Sequence, residues 1–305
     1  METPAKGANA MQSVRILLAD AIDYAGLFPP AGLPMSEAVI NYATYRSSNY
    51  NWMLGRFIVM APRLDEFYET AREFIPKDAA NPWRVSVAVG EDVVETMHRI
   101  KNFNPRYGPG VVCDTVEIKV ASQGEIGNAV ASLPADVTAY FELAPDEILP
   151  DLVATLALKG QRAKLRTGGI TPNAFPTSQE IIRFVRTCLA ANVPFKATAG
   201  LHHPIRCFKP LTYKKNSVKG TMHGFLNLFL MSGFAREGYK VNFLEDVMEE
   251  EFDEVFRFED HAVTWRDEFS LNTWQIEHLR KTGIQSFGSC SFDEPVADLQ
   301  KLGIL

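Results

Sequence analysis

The stretch Phe195-Lys196-Ala197-Thr198-Ala199-Gly200-Leu201-His202-His203-Pro204 has the pattern of a buried strand running into a turn, yet a lysine occupies its second position. A lysine withdrawn from water is costly unless another group pairs with it or uses it. The same problem recurs one strand earlier, in Ala163-Lys164-Leu165-Arg166-Thr167, and again in TVEIKV, TAYFE and IDYAGL. Alternate residues of a strand share a face. Turned outward, Lys196 and its counterparts would be buried against helices. Turned inward in a closed cylinder, they meet one another in a common lumen.

The rest of the chain supports a cylinder. An opening helix near residues 14–21 is followed by IDYAGLF and a helix near 35–45. GRFIVMA, RVSVAV, TVEIKV, VTAYFEL, AKLRT and PFKATAG then each precede a helical pattern, and IQSFGS precedes a short terminal one. Regular strand–helix alternation implies a parallel sheet, because parallel strands need crossovers. Eight such units predict a single (β/α)8 TIM barrel over residues 1–305, with an N-terminal helix. An open doubly wound sheet is the alternative, but no GxGxxG follows the first strand. Residues 204–283 are too many for one crossover. They predict a helical insertion with a loop near 214–220 able to act as a lid. Within it, LEDVMEEEFDEVF reads as a solvated helix face.

Composition narrows the function classes. The chain is 46% hydrophobic and 22% charged, with net charge −6, which is ordinary for a globular protein and disfavours nucleic acid or an anionic membrane surface as partner. No run of about 18 apolar residues is present, so no membrane span is expected. The N-terminal METPAKGANAMQ carries no signal-peptide pattern, and Cys113, Cys188, Cys207 and Cys290 have no metal or disulfide spacing. A cytoplasmic location with free thiols follows as the expectation. Homo-oligomerisation is left open.

Strand parity gathers the ionisable residues. Glu117 and Lys119 share a face, as do Tyr140 and Glu142, Lys164 and Arg166, and Lys196 and Thr198, while Asp23 sits on the first strand. Barrel active sites lie at the C-terminal ends of the strands, where these groups would converge. A cation beside a lysine favours the neutral amine, which attacks carbonyls to form a Schiff base, with a carboxylate moving protons. Small residues cluster at the same ends: Thr167-Gly168-Gly169, Ala199-Gly200 and Gly288-Ser289-Cys290-Ser291. Backbone N–H groups after such strands commonly bind phosphate. Tyr24 and Phe28 are expected as an aromatic rim, on a turn fixed by Pro29 and Pro30.

These stretches resemble the deoxyribose-phosphate aldolase type of class I aldolase. Ile22-Asp23-Tyr24-Ala25-Gly26-Leu27 stands where that family has I-D-H-T-L-L. Lys164-Leu165-Arg166-Thr167-Gly168 is similar to its K-T-S-T-G, and Lys196-Ala197-Thr198-Ala199-Gly200 to its K-x-A-G-G. Gly288-Ser289-Cys290-Ser291 is similar to its G-T-S-S. The resemblance implies that Lys164 forms the imine, that Lys196 lowers its pKa, and that Asp23 assists proton transfer. Tyr24-Ala25 and Arg166 depart from the pattern, and the segment after the seventh strand is longer than the family's. The whole chain also looks like a bacterial protein family carrying DYAGLFPPA, FKATAGLHHP and FGSCSF, a likeness that implies no particular reaction.

The leading expectation is therefore a cofactor-free lyase acting on a small anionic, possibly phosphorylated, carbonyl compound. Lys164, Lys196, Asp23, Glu117 and Glu142 would carry the chemistry. Arg166, Thr167, Gly168, Gly169, Thr198, Gly200, His202, His203, Gly288, Ser289 and Ser291 would hold the anion. Of the adjacent His202 and His203, at most one easily faces the pocket. A metal-dependent lyase, isomerase or hydrolase, with a divalent ion on His202, His203 and Glu142, is the alternative. A non-catalytic anion-binding or docking barrel is another. His223 reads as packing, and His98, His261 and His278 as surface residues.

Overall fold

A computed structural model describes residues 10–90 and 92–305. Most of the N-terminal stretch read for a signal peptide thus lies outside the described residues. Helix α1 (Gln12–Leu18) leads into β1 (Ile22–Tyr24). β1 is shorter than IDYAGLF suggested, because Phe28 N–H closes a turn on the Ala25 carbonyl. Next come α2 (Met35–Arg46), β2 (Leu54–Met60), α3 (Leu64–Ala71), β3 (Trp83–Ala88), α4 (Val93–Tyr107) and β4 (Val111–Lys119). They are followed by α5 (Gln123–Ser132), β5 (Thr138–Glu142), α6 (Leu149–Leu158), β6 (Arg162–Arg166), α7 (Ser178–Ala190) and β7 (Phe195–Thr198). Helix starts follow local chemistry. Thr177 and Glu180 form a reciprocal capping box on α7, and Ser122 and Asp92 cap α5 and α4.

After β7 the chain forms an antiparallel hairpin, β8 (Cys207–Pro210) with β9 (Lys219–Met222), and then α8 (Phe225–Arg236) and α9 (Val241–Glu249). A three-stranded antiparallel sheet follows: β10 (Phe256–Phe258), β11 (Ala262–Trp265) and β12 (Phe269–Asn272). Helix α10 (Thr273–Thr282), β13 (Ile284–Ser289) and α11 (Asp293–Lys301) complete the chain. Eight parallel strands close into a barrel in the order β1-β13-β7-β6-β5-β4-β3-β2. The chain is thus an α/β barrel of TIM type, as the alternation predicted.

Residues 204–283 depart from the all-helical expectation. Buried α8 is the crossover helix that covers β13, with Phe225 stacked on Phe287 at a centroid distance of 4.9 Å. The other elements are additions, and five of them are strands. FRF, AVTW and FSLN are short and β-rich, and Arg266 and Asp267 turn the second hairpin with left-handed φ values of 52° and 53°. The acidic stretch is not one solvated helix. Its first half lies in α9, and Glu250 then turns inward to accept hydrogen bonds from Trp265 Nε1 and Arg266 Nε. The 214–220 loop is the end of the β8–β9 hairpin.

The core is concentric. Outward strand residues such as Phe57, Val85, Val87, Phe141, Leu165 and Phe287 are buried within the apolar shell shared with the helices. The lumen is different. Barrels of this kind are usually filled with branched apolar side chains, whereas here the inward positions of β4–β7 are predominantly polar.

Candidate active site

The lumen is a stack of ion pairs. In its lower part, Arg56 Nε donates to Asp114 at 2.6 Å and Arg84 Nε to the same carboxylate at 3.1 Å. Arg162 Nη1 donates to Tyr140 OH and to Gln285 Oε1, each at 2.9 Å. Above it, Lys196 Nζ lies 2.5 Å from Asp23 Oδ2 and 2.8 Å from Glu117 Oε1. Ser286 Oγ donates to Asp23 and Ser86 Oγ to Glu117, each at 2.8 Å. Nearest the mouth, Lys164 Nζ lies 2.7 Å from Glu117 Oε2 and 2.8 Å from Glu142 Oε2, and Arg166 Nε reaches Glu142 Oε1 at 3.2 Å.

Strand register produces this ladder. Glu142 is level with Lys164, and Lys164 with Lys196, on adjacent strands. Asp23 enters from β1 because Gly55 leaves room for it. A Cβ on Gly55 would stand 2.4 Å from Asp23 Oδ1, which also accepts Arg56 N–H at 2.8 Å. Parity thus brings Asp23, Glu117, Glu142, Lys164, Lys196 and Arg166 into one connected set. Lys119 stands at the exposed rim of the same cavity.

The charge balance differs from the crowding of positive charge that the sequence suggested. Glu117 bridges the two lysines, one on each carboxylate oxygen. Burial alone would disfavour the Lys196 ammonium, but Asp23 and Glu117 outweigh it and hold Lys196 above the usual lysine range. Burial likewise opposes the Glu117 carboxylate, yet Lys164 and Lys196 hold it well below the usual range. Glu142 is lowered too, with burial opposed by Lys164 and Arg166. Lys196 is therefore a fixed buried cation.

A cavity of about 450 Å³ opens above this stack. Glu117, Lys119, Glu142, Lys164 and Arg166 form one part of its wall, and Gly169, Thr198, Gly200, His202, Gly288 and Cys290 continue it. Lys196 and Asp23, each 1% exposed, lie below its floor. Several expected anion-binding residues serve the fold instead. Thr167 Oγ1 donates to the Ala199 carbonyl at 2.7 Å, and Gly168 packs against Gly200, where a Cβ would meet Gly200 Cα at 2.9 Å. Ser289 Oγ accepts Ser291 N–H, and Ser291 Oγ accepts Glu294 N–H at the start of α11. Tyr24 is not on the rim. It is fully buried among Tyr42, Tyr45 and Phe57, while Phe28 does line the cavity.

The two histidines diverge in a loop that leaves β7 through left-handed φ values of 65° at Ala199 and 77° at Gly200. His202 lines the cavity, with Nδ1 3.3 Å from Glu294 Oε2 and 3.8 Å from Cys290 Sγ. Burial disfavours its charge, but Cys290 and Glu294 outweigh it and raise the imidazole to about 9. His203 turns away, its Nδ1 2.6 Å from Asp298 Oδ2 and 3.2 Å from Lys209 Nζ. Glu142 is engaged with Lys164 and Arg166, so His202, His203 and Glu142 do not meet as a ligand set. Among the described residues, no group of three or more His, Cys, Asp or Glu side chains is arranged to hold a metal ion.

Sequence reasoning missed Ser86, Ser286, Glu294 and Tyr213. Ser86 and Ser286 were visible as lone hydroxyls in RVSVAV and IQSFGS. Tyr213 carried no signal. It comes from the hairpin, and its hydroxyl donates to Glu294 at 3.1 Å and lies 3.7 Å from Cys290 Sγ.

No protein-family model matches the chain, and no curated protein matches its sequence. Among solved structures it is similar to nitroalkane oxidase from Streptomyces ansochromogenes, at 13% identity and a TM-score of 0.33. That match covers 63% of this chain and 62% of the oxidase, so the chain spans less than two thirds of the solved protein. The parallel barrel implied by the aldolase resemblance is present.

Proposed function

We propose that the chain is a lyase of the class I aldolase type, in which Lys164 forms a Schiff base with a small anionic carbonyl compound. One observation carries this reading. Lys164 is the lumen lysine whose amine sits at the cavity floor between two carboxylates, while Lys196 is sealed beneath it.

The proton of the Lys164 ammonium passes to Glu142, the more open of its two carboxylate partners. The freed lone pair attacks the carbonyl carbon, and the carbonyl oxygen takes a proton. Loss of water from the carbinolamine leaves a cationic C=N bond. That bond draws in the electron pair of the Cα–Cβ bond as it breaks, while the β-hydroxyl gives its proton to a carboxylate and the β-carbon leaves as a carbonyl compound. Protonation of the resulting enamine and addition of water return Lys164. Lys196 and Glu117 hold the amine in place and fix the local field. Arg166 and Lys119, at the mouth of the cavity, hold the carboxylate or phosphate of the substrate.

Enamine formation is testable without knowing the second substrate. In deuterium oxide, NMR would show protein-catalysed exchange of the α-protons of pyruvate or dihydroxyacetone phosphate. Lys164→Arg keeps the charge pairs with Glu117 and Glu142 and is expected to lower that exchange at least 100-fold. Exchange that is unchanged in Lys164→Arg refutes the reading.

A further inference from the structure

The wall of the central cavity is divided. Its charged half comes from β4, β5 and β6, with Glu117, Lys119, Glu142, Lys164 and Arg166, and His202 follows β7. Its other half is apolar. Ile58 and Met60 come from β2, Ala88 and Val89 from the end of β3, and Phe28 and Pro30 from the turn after β1. The strand order sets these halves across from each other. Counting around the closed barrel, β6 and β2 stand four strands apart in either direction, so Lys164 faces Ile58 and Met60 across the lumen.

Such a wall suits a ligand with two ends. A polyhydroxylated sugar phosphate would leave hydroxyls against Ile58, Met60 and Val89, where no side-chain partner is offered, and unpaired polar groups are costly. A carbonyl compound whose far end is hydrocarbon loses nothing there and sheds apolar surface.

We infer that the substrate is a β-hydroxy oxo acid with an aliphatic or aromatic substituent beyond the hydroxyl: its carbonyl at Lys164, its carboxylate toward Arg166 and Lys119, and its apolar end on Ile58, Met60 and Val89. The inference rests on the Schiff-base reading and names the substrate class of that same site. About 450 Å³ falls within the usual size range of small-molecule sites, so a chain of several carbons is accommodated.

The test is a homologous series, pyruvate through 2-oxohexanoate, with phenylpyruvate and dihydroxyacetone phosphate for comparison. Adducts are trapped with borohydride and half-saturating concentrations read by mass spectrometry. Half-saturation is expected to fall about fourfold per added methylene until the cavity fills, and to lose that dependence in Met60→Gln. Adducts that form as well with pyruvate or dihydroxyacetone phosphate as with 2-oxohexanoate overturn the inference and leave the Schiff-base reading standing. If no compound is trapped, that reading fails, and calorimetric titration with pentanoate and hexanoate, which cannot form an imine, decides the placement of the apolar end on its own. Tighter binding of hexanoate that is lost in Met60→Gln upholds it. Absence of chain-length dependence overturns it. Circular dichroism of Met60→Gln confirms that the variant is folded.

Discussion

Replacing Lys196 by methionine removes the cation at the centre of the lumen while keeping most of its volume. Lys196 is 1% exposed and pairs with two carboxylates, at 2.5 and 2.8 Å. Glu117 retains Lys164 and Ser86 after the change. Asp23 retains the Ser286 hydroxyl and the Arg56 N–H, but among the described residues it has no second cation in ion-pair contact. Leaving a buried charge without its partner costs about 3–5 kcal/mol. The unfolding entropy of a chain of 305 residues is about 0.6 kcal/mol/K near its midpoint, so the loss corresponds to a Tm lower by about 5–8 °C. Scanning calorimetry at pH 7 measures it. The double variant Asp23→Asn/Lys196→Met removes the stranded charge as well, and is expected to recover at least half of the deficit. A single variant within about 1 kcal/mol of the parent, or a double variant less stable than the single, refutes the reasoning.

Two further perturbations follow from the same geometry. His202 is raised to about 9 in the folded chain, against about 6.5 unfolded. Its charged form contributes stability that is fully present below pH 6.5 and lost as pH rises through about 9, amounting to about 3 kcal/mol. Chemical denaturation from pH 6 to 9.5 is expected to show this decline in the parent and a flatter profile in His202→Gln; parallel profiles contradict it. Gly55→Ala would push a methyl group against Asp23 Oδ1 and the Asp20 carbonyl, and is expected to cost about 1–3 kcal/mol in urea denaturation. An unchanged midpoint would show that Asp23 does not need this gap.

The barrel and its ionic lumen were legible because two periodicities coincide. Strand–helix alternation implied parallel strands, and the two-residue repeat put Glu117, Lys164 and Lys196 on faces that only a lumen could accommodate. Parity allowed these cations and anions to compensate each other, but could not give which of them pair. It identified charged residues on common faces but not that Glu117 would lie between the lysines, since that depends on stagger around the barrel. Hydroxyls and glycines at strand ends were over-read: Thr167, Ser289 and Ser291 satisfy neighbouring backbone groups, a need every strand end has. Tyr24 was misplaced because a strand of three residues offers too little pattern to separate its faces. Tyr213 and Glu294 meet through a hairpin that no local pattern announced, and the apolar half of the cavity used residues that read simply as core.

The reactivity of Lys164 is tested most directly by locating the trapped amine. Protein incubated with 2-oxopentanoate and borohydride, then digested and sequenced by mass spectrometry, is expected to carry one reduced adduct, on Lys164, and Lys164→Arg is expected to carry none. An adduct on Lys196 or on a surface lysine, with Lys164 unmodified, would contradict it.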